Sequence, residues 1–366
     1  MSEAVRVPGR LGRMNRWVRV AMSVASLALA AGLIVYLPSI IGSLTGATMS
    51  WGQIGGLFAE VSWQLAALMT VVWLASLLAY TFVLTGSLPG LGHTQALTLN
   101  AAGSAVSNLL PFGGAAGVAL TMAMTKGWGF PVGAIVASTL VSGVWNMIFR
   151  FLLPAVGILA LLLSGTPLSP TVTKAGWAAS GSLLALVVLV GAALFWDRGA
   201  RVIGHGADRL VALSPRKIRP AERWASGAIH KLRADMAGVV RSGWLKMSLG
   251  MVFFLGFQWL VLALCMVGTG SWVGTAQSIA VFALSRVLTS ALATPSGAGF
   301  MEAGTALALI GFGAGEAQAT AAAILFGFWT YTIEIPWGGL ALGGWALLRR
   351  RDGRRESEPV TREKAS

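Results

Sequence analysis

Six stretches of this chain run for about twenty residues or more with almost no charge. A bilayer core about 30 Å thick is crossed by roughly 20 apolar residues as helix, because a helix satisfies its own backbone hydrogen bonds. Residues 18–37, 65–87, 177–196 and 246–267 each match one span. Residues 131–163 and 316–348 are longer than one span needs, and each holds an internal proline, Pro154 or Pro336. Each is expected to be tilted, kinked or broken. A soluble globular fold is excluded, since only 11% of the residues are charged, against about 25% in a typical soluble domain, and 55% are hydrophobic. The same hydrophobicity excludes a disordered chain.

Two further apolar segments are short and interrupted. Residues 94–109 and 113–125 flank Pro111-Phe112-Gly113-Gly114, and residues 273–293 and 298–311 flank Pro295-Ser296-Gly297. A helix of 16 residues is only about 24 Å long. Each pair reads as a re-entrant hairpin that enters and leaves on one side, with two short spans as the alternative.

The chain is also basic, with 27 Lys and Arg against 13 Asp and Glu. Five arginines lie between Arg6 and Arg19, eleven cations between Arg198 and Lys246, and seven between Arg349 and Lys364. With the N-terminus in the cytoplasm, counting spans brings all three clusters to the inner side, as the positive-inside rule requires. The charge therefore sets orientation and does not mark a nucleic-acid surface. Trp51, Trp63, Trp177 and Trp272 fall near the predicted outer edges, and Trp128, Trp196, Trp244 and Trp345 near the inner ones. No small-residue cleavage site closely follows the first apolar run, so it reads as a retained span and not a signal peptide. Within loop 197–245, residues 222–241 place apolar side chains at helical spacing among arginines and lysines. This reads either as a basic amphipathic helix on the inner membrane surface or as a solvated linker.

Sliding the chain by 184 residues superposes Pro111 on Pro295, Gly113 on Gly297, Gly127 on Gly311, Gly143 on Gly327 and Trp145 on Trp329. The two hairpins open from opposite sides, which is the arrangement of inverted-repeat carriers whose broken helices meet at the midplane. The same offset puts Arg150 on Glu334.

Charges inside a bilayer cost a few kcal/mol each. Four lie in apolar segments: Arg150, Arg286, Glu302 and Glu334. They read either as the lining of a polar pathway or as two neutralising pairs, Arg150 with Glu334 and Arg286 with Glu302. Asn108 and Asn146 add polarity of the kind that also holds membrane helices together. After each elbow a half-helix begins, near Gly113 and Gly114 and near Gly297 and Gly299. Its free N–H groups form a site for an anionic group such as a lipid phosphate. Glycine there lets the backbone approach closely.

Catalytic constellations are missing. Thr294-Pro295-Ser296-Gly297 has the look of a nucleophile turn, yet no histidine lies in a membrane segment to serve as its base. His93, His205 and His230 are isolated, so no metal site is expected, and the single Cys265 forms no internal disulfide. No Walker A motif is present. Neither catalysis nor a cofactor is expected.

The block Asn108-Leu109-Leu110-Pro111-Phe112-Gly113-Gly114, followed by Gly127, resembles the first motif of the lysylphosphatidylglycerol synthase transmembrane-region family. The block Pro295-Ser296-Gly297-Ala298-Gly299-Phe300-Met301-Glu302, followed by Gly311, resembles its second motif. The resemblance covers roughly residues 20–348. It implies the membrane module found in the multiple peptide resistance factor and in stand-alone flippase-like proteins, a lipid-handling membrane protein usually of bacteria. Many members carry Glu and Arg just after the first elbow, where this chain has Ala115, Ala116, Gly117 and Val118. The family's acidic-basic pair in the next span is replaced by Ser142, Gly143 and Asn146. These departures point to a divergent branch. No segment resembles the resistance factor's soluble aminoacyl-transferase domain, so no synthase activity is expected.

The expected protein is an all-α polytopic membrane helix bundle whose two broken hairpins are related as inverted repeats. A cytoplasmic basic N-terminus (1–19) precedes a membrane half with the first hairpin (20–196). The basic loop (197–245), a second membrane half (246–348) and a basic tail (349–366) follow. Its expected place is the bacterial cytoplasmic membrane, with both termini inside. The leading function is flippase-like handling of an anionic lipid or lipid-linked precursor. The candidate site comprises Arg150, Arg286, Glu302, Glu334, Asn108, Pro111, Gly113, Gly114, Pro295, Gly297 and Gly299. The alternatives are a non-transporting accessory protein that partners cell-envelope synthesis proteins, and a proton-coupled small-solute transporter.

Overall fold

The computed structural model describes residues 16–46, 48–109, 113–165, 170–195, 224–289 and 294–357. All of the regular structure among them is helical. Helix α1 (Arg16–Val35) runs into α2 (Leu37–Thr45), with a bend of 55° between Leu27–Val35 and Leu37–Thr45. Helix α1 thus matches the span expected over 18–37, and the break at Tyr36 falls at its end. Pro38 lies in the first turn of α2 and lacks the N–H that would continue the ladder, which accounts for the break at Tyr36. A short helix not anticipated from the sequence, α3 (Trp51–Glu60), follows. Ser50 caps it by accepting from the Gln53 N–H, while the Gln53 side chain accepts from the Ser50 N–H at 2.9 Å.

Helix α4 (Trp63–Ser87) is the predicted second span. The first hairpin is α5 (His93–Leu109) and α6 (Gly113–Gly127), with its elbow at residues 110–112 outside the described residues. Helix α7 (Val132–Leu163) stays continuous over 32 residues with Pro154 inside. At 1.5 Å per residue it is about 48 Å long, so it must tilt to fit a bilayer.

Helix α8 (Pro170–Phe195) starts earlier than the span read at 177–196. Helix α9 (Trp224–Gly268) is 45 residues long. Residues 224–241 of the basic segment form helix that continues unbroken into the span, while Glu222 and Arg223 lie outside the described residues. Trp244, exposed partway along α9, stands where the predicted inner edge falls.

The second hairpin comprises α10 (Thr275–Leu288), a 3-10 turn (Pro295–Gly297) and α11 (Phe300–Gly311). The last long segment is divided into α12 (Glu316–Gly327), a π turn (Phe328–Thr332) and α13 (Glu334–Ser357). Pro336 explains the place of this break: its ring excludes the carbonyl of Thr332, four residues back. The ladder widens there, and Ile333 N–H reaches the Phe328 carbonyl at 3.0 Å.

Among the described residues three helices are long and apolar enough to cross a membrane, or four if the bent pair α1–α2 counts as one span. Large apolar side chains such as Val71, Leu163 and Val188 point outward and exposed, while Ser76, Thr81, Gln258, Glu302 and Glu334 are buried. That inversion is expected where the solvent is lipid.

Small residues set the closest helix contacts. A Cβ on Gly250 of α9 would lie 2.9 Å from the Phe82 Cβ of α4, and Gly243 meets the Gly86 carbonyl. Gly338 of α13 likewise meets the Ala101 carbonyl of α5. Such contacts give dispersion energy where no hydrophobic force separates helix from lipid. In the core, Trp73 of α4 packs edge-on to Trp337 at 6.0 Å and tilted against Trp329 at 6.1 Å, which ties the span to the π turn.

Candidate functional site

The broken elements converge on one polar cavity of about 250 Å³. Helix α4 supplies Tyr80; α5 supplies Asn100, Ser104 and Asn108; α7 supplies Asn146 and Arg150. Helix α9 brings Gln258 and α10 brings Arg286. Ser296 of the 3-10 turn, Thr330 and Tyr331 of the π turn, and Glu334 at the start of α13 complete it. Three of the four intramembrane charges therefore share one space.

Asn108 is the junction of the site. Its Nδ2 donates to Glu334 Oε2 at 3.0 Å and to the Tyr331 carbonyl at 3.4 Å, and its Oδ1 accepts from Ser296 Oγ. Ser104 lines the same cavity as Glu334. Arg286 interacts electrostatically with both Glu334 and Arg150. Its Nη1 is buried with no hydrogen-bond partner, and so is Gln258 Oε1. Across the cavity Asn146 Nδ2 donates to Tyr80 Oη at 3.0 Å, and the Tyr80 ring packs 4.9 Å from Phe254.

The second elbow holds Ser296 in the left-handed region at φ 51°, where a residue with a Cβ is rarely found. Gly297 (φ 71°) and Gly299 (φ 86°) flank it. A Cβ on Gly297 would meet the Leu288 carbonyl and lie 2.8 Å from Thr289 Cα, and one on Gly299 would strike Leu33 of α1. The Pro-Ser-Gly-Ala-Gly sequence thus shapes a turn that only its glycines permit, and this turn presents the Ser296 hydroxyl to Asn108.

Glu302 departs from its expected role. Its Oε2 accepts the Gly299 N–H at 2.7 Å and caps α11. It does not line the cavity, and Arg286 has Glu334 as its acidic neighbour there instead. The positive end of α11, read from sequence as an anion site, is thereby answered within the chain by its own carboxylate.

The remaining sequence candidates separate clearly. Asn108, Arg150, Arg286 and Glu334 are brought together. Pro295, Gly297 and Gly299 build the turn without lining the cavity, Gly113 opens α6, and Gly114 lines a neighbouring space. Pro111 lies outside the described residues. The sequence reading missed Tyr80, Asn100, Ser104, Gln258, Ser296, Thr330 and Tyr331. Gln258, an amide in the apolar run 246–267, was the one signal that could have been read.

A family model for the lysylphosphatidylglycerol synthase TM region matches residues 18–338. The chain belongs to that family. No curated protein matches it. As a member of the lysylphosphatidylglycerol synthase TM region family with several apolar helices, it is a multi-pass membrane protein. The matched region contains the whole cavity, from Leu77 to Glu334.

Proposed function

We propose that the protein carries the headgroup of an anionic lipid, or of a lipid-linked precursor, through this cavity while the acyl chains stay in the bilayer. One observation carries the reading: two arginines and one glutamate line the cavity, and Arg286 Nη1 is buried without a hydrogen-bond partner. A buried guanidinium N–H with no acceptor is costly, and an anionic oxygen is the group that best relieves it. A phosphate monoanion would also cancel the surplus positive charge.

An apolar groove between α7 and α8 gives acyl chains a surface to follow. Movement would come from rocking the membrane half 20–196 against the half 246–348, the inverted-repeat mechanism of many carriers. The protein would sit in the bacterial cytoplasmic membrane with both termini inside, and would act without catalysing a reaction.

The test is headgroup movement in liposomes reconstituted with the full chain. Anionic lipids should cross faster than in empty liposomes, and Arg286→Ala and Arg150→Ala should remove the difference. No movement across a broad panel of anionic lipids would falsify the reading.

A further inference from the structure

Two apolar grooves lie on the outside of the bundle, and they are not equivalent. The one between α7 and α8 shares Thr139 with a second, hydroxyl-lined cavity of about 210 Å³. That cavity adjoins the charged one, with Tyr80, Asn100 and Ser104 as a common wall. The other groove, of about 640 Å³, runs along α4 and α9. Among the described residues, none that lines it lines either polar cavity. Behind it the two helices touch backbone to backbone. A Cβ on Gly250 would lie 3.0 Å from the Ala79 carbonyl oxygen, and one on Gly86 would lie 2.8 Å from Met247 Cγ and 3.3 Å from the Gly243 carbonyl oxygen. A lipid headgroup cannot pass between helices packed to that distance. On the far side of this wall Tyr80 and Phe254, with rings 4.9 Å apart, face the charged cavity.

The α4–α9 groove is apolar along its length and ends in one cation. Lys246 stands at that end, its Nζ 5.8 Å from the centre of the Phe82 ring. Trp244, exposed two residues earlier, marks the headgroup level there. From Lys246 to Phe257 the helix rises about 16 Å. Half of a hydrocarbon core of about 30 Å is about 15 Å. The groove is therefore as long as the acyl layer of one leaflet, with the charge where a phosphate lies. A zwitterionic phospholipid would bring its own ammonium towards Lys246. An anionic one leaves its phosphate free to pair with the lysine.

We infer that this groove is a separate lipid site that transports nothing. It holds one anionic phospholipid of the leaflet bordering the basic end of α9, with the phosphate at Lys246 and an acyl chain along Leu249 and Phe253 to Phe257. The occupant braces the α4–α9 wall of the charged cavity from outside. The inference goes beyond the transport reading and does not depend on what the charged cavity carries.

The experiment photolabels the full chain in phosphatidylcholine nanodiscs. One probe is phosphatidylmethanol, a minimal anionic phospholipid, with a diazirine midway along an acyl chain. The other is phosphatidylcholine with the same diazirine, and labelled positions are read by peptide mass spectrometry. The anionic probe should label the segment around Leu249 and Phe253 ~5-fold more than the zwitterionic one, the preference that one lysine at the headgroup level confers. Lys246→Gln should erase that preference. Arg286→Ala should leave it intact, because the groove does not open into the charged cavity. Equal labelling by the two probes, or a preference that survives Lys246→Gln, overturns the inference and makes the groove ordinary lipid-facing surface. A preference lost in Arg286→Ala also overturns it, since the lipid there would then be on its way to the cavity. Headgroup movement in liposomes is a separate readout, and its failure counts against the transport reading alone.

Discussion

Ser296 donates a hydrogen bond to the side-chain carbonyl of Asn108, a residue 188 positions earlier in the chain. Through Asn108 the link continues to Glu334 at 3.0 Å. One amide thus joins the end of the first hairpin's leading helix, the second elbow and the break before α13.

Replacing that amide should loosen all three at once. Asn108→Leu keeps similar bulk but leaves Ser296 and Glu334 short of a partner. An unsatisfied buried polar group costs about 1–3 kcal/mol. Thermal unfolding in detergent with added lipid should show a lower midpoint for Asn108→Leu than for wild type. An unchanged midpoint would mean that the junction carries no stability.

Arg286 is expected to matter through its fork of donors as well as its charge. Arg286→Ala should lower anionic-lipid affinity by about 10- to 100-fold, the range for losing a charge-assisted bond. Arg286→Lys keeps a point charge without the planar geometry and should recover only part of that loss. Lipid titration of the three proteins side by side checks the order.

Glu302 is placed as a helix cap, so its substitution should cost stability and spare transport. Glu302→Gln retains an acceptor for the Gly299 N–H and removes the charge at the end of α11. A loss of about 0.5–1 kcal/mol is expected. Headgroup movement in liposomes should be unaffected and should not depend on a proton gradient. Abolished movement would return Glu302 to the transport path.

Gly299→Ala sets a Cβ against Leu33 at a backbone angle of φ 86°. Strain of this kind costs about 1–3 kcal/mol. The expected outcome is a lower unfolding midpoint and poor yield from the membrane, whereas Gly339→Ala, where a Cβ meets nothing within 4 Å, should behave as wild type.

Orientation is tested by single cysteines in a Cys265→Ala background. Cysteines at Arg198 and Arg355 should react with a membrane-impermeant thiol reagent only from the cytoplasmic side, and one at Lys174 only from outside. The reverse pattern would overturn the positive-inside assignment.

The helical segments were legible in the sequence because hydropathy and Pro-Gly punctuation act over one helix length, although among the described residues only three of the six expected spans, or four with the bent pair, are long and apolar enough to cross a membrane. The short helix α2, which begins where the expected first span ends, was not anticipated. The joining of segment 224–245 to the span was missed because charge ends an apolar run without ending a helix. Arg150, Arg286, Glu334 and Asn108, which share one cavity, were singled out in the sequence because a polar group in an apolar helix needs a reason. Glu302 was found by the same signal and misread, since the signal says nothing about direction. It belongs equally to a cavity and to the N–H three residues back, and only the turn at Gly299 decides between them.

From the sequence alone came an all-helical membrane chain, the family motifs and four charges that had to be accommodated inside the bilayer. Hydropathy, helix length and charge placement are properties of short segments, so a linear reading recovers them. Which charges share a cavity, the route from Ser296 through Asn108 to Glu334, and the hydroxyl-lined space beside it were decided by tertiary structure. Those relations depend on how tightly α4, α5, α7, α9 and α10 approach one another and on the geometry of two broken helices. Packing distance and side-chain direction are set by contacts between residues far apart in the chain.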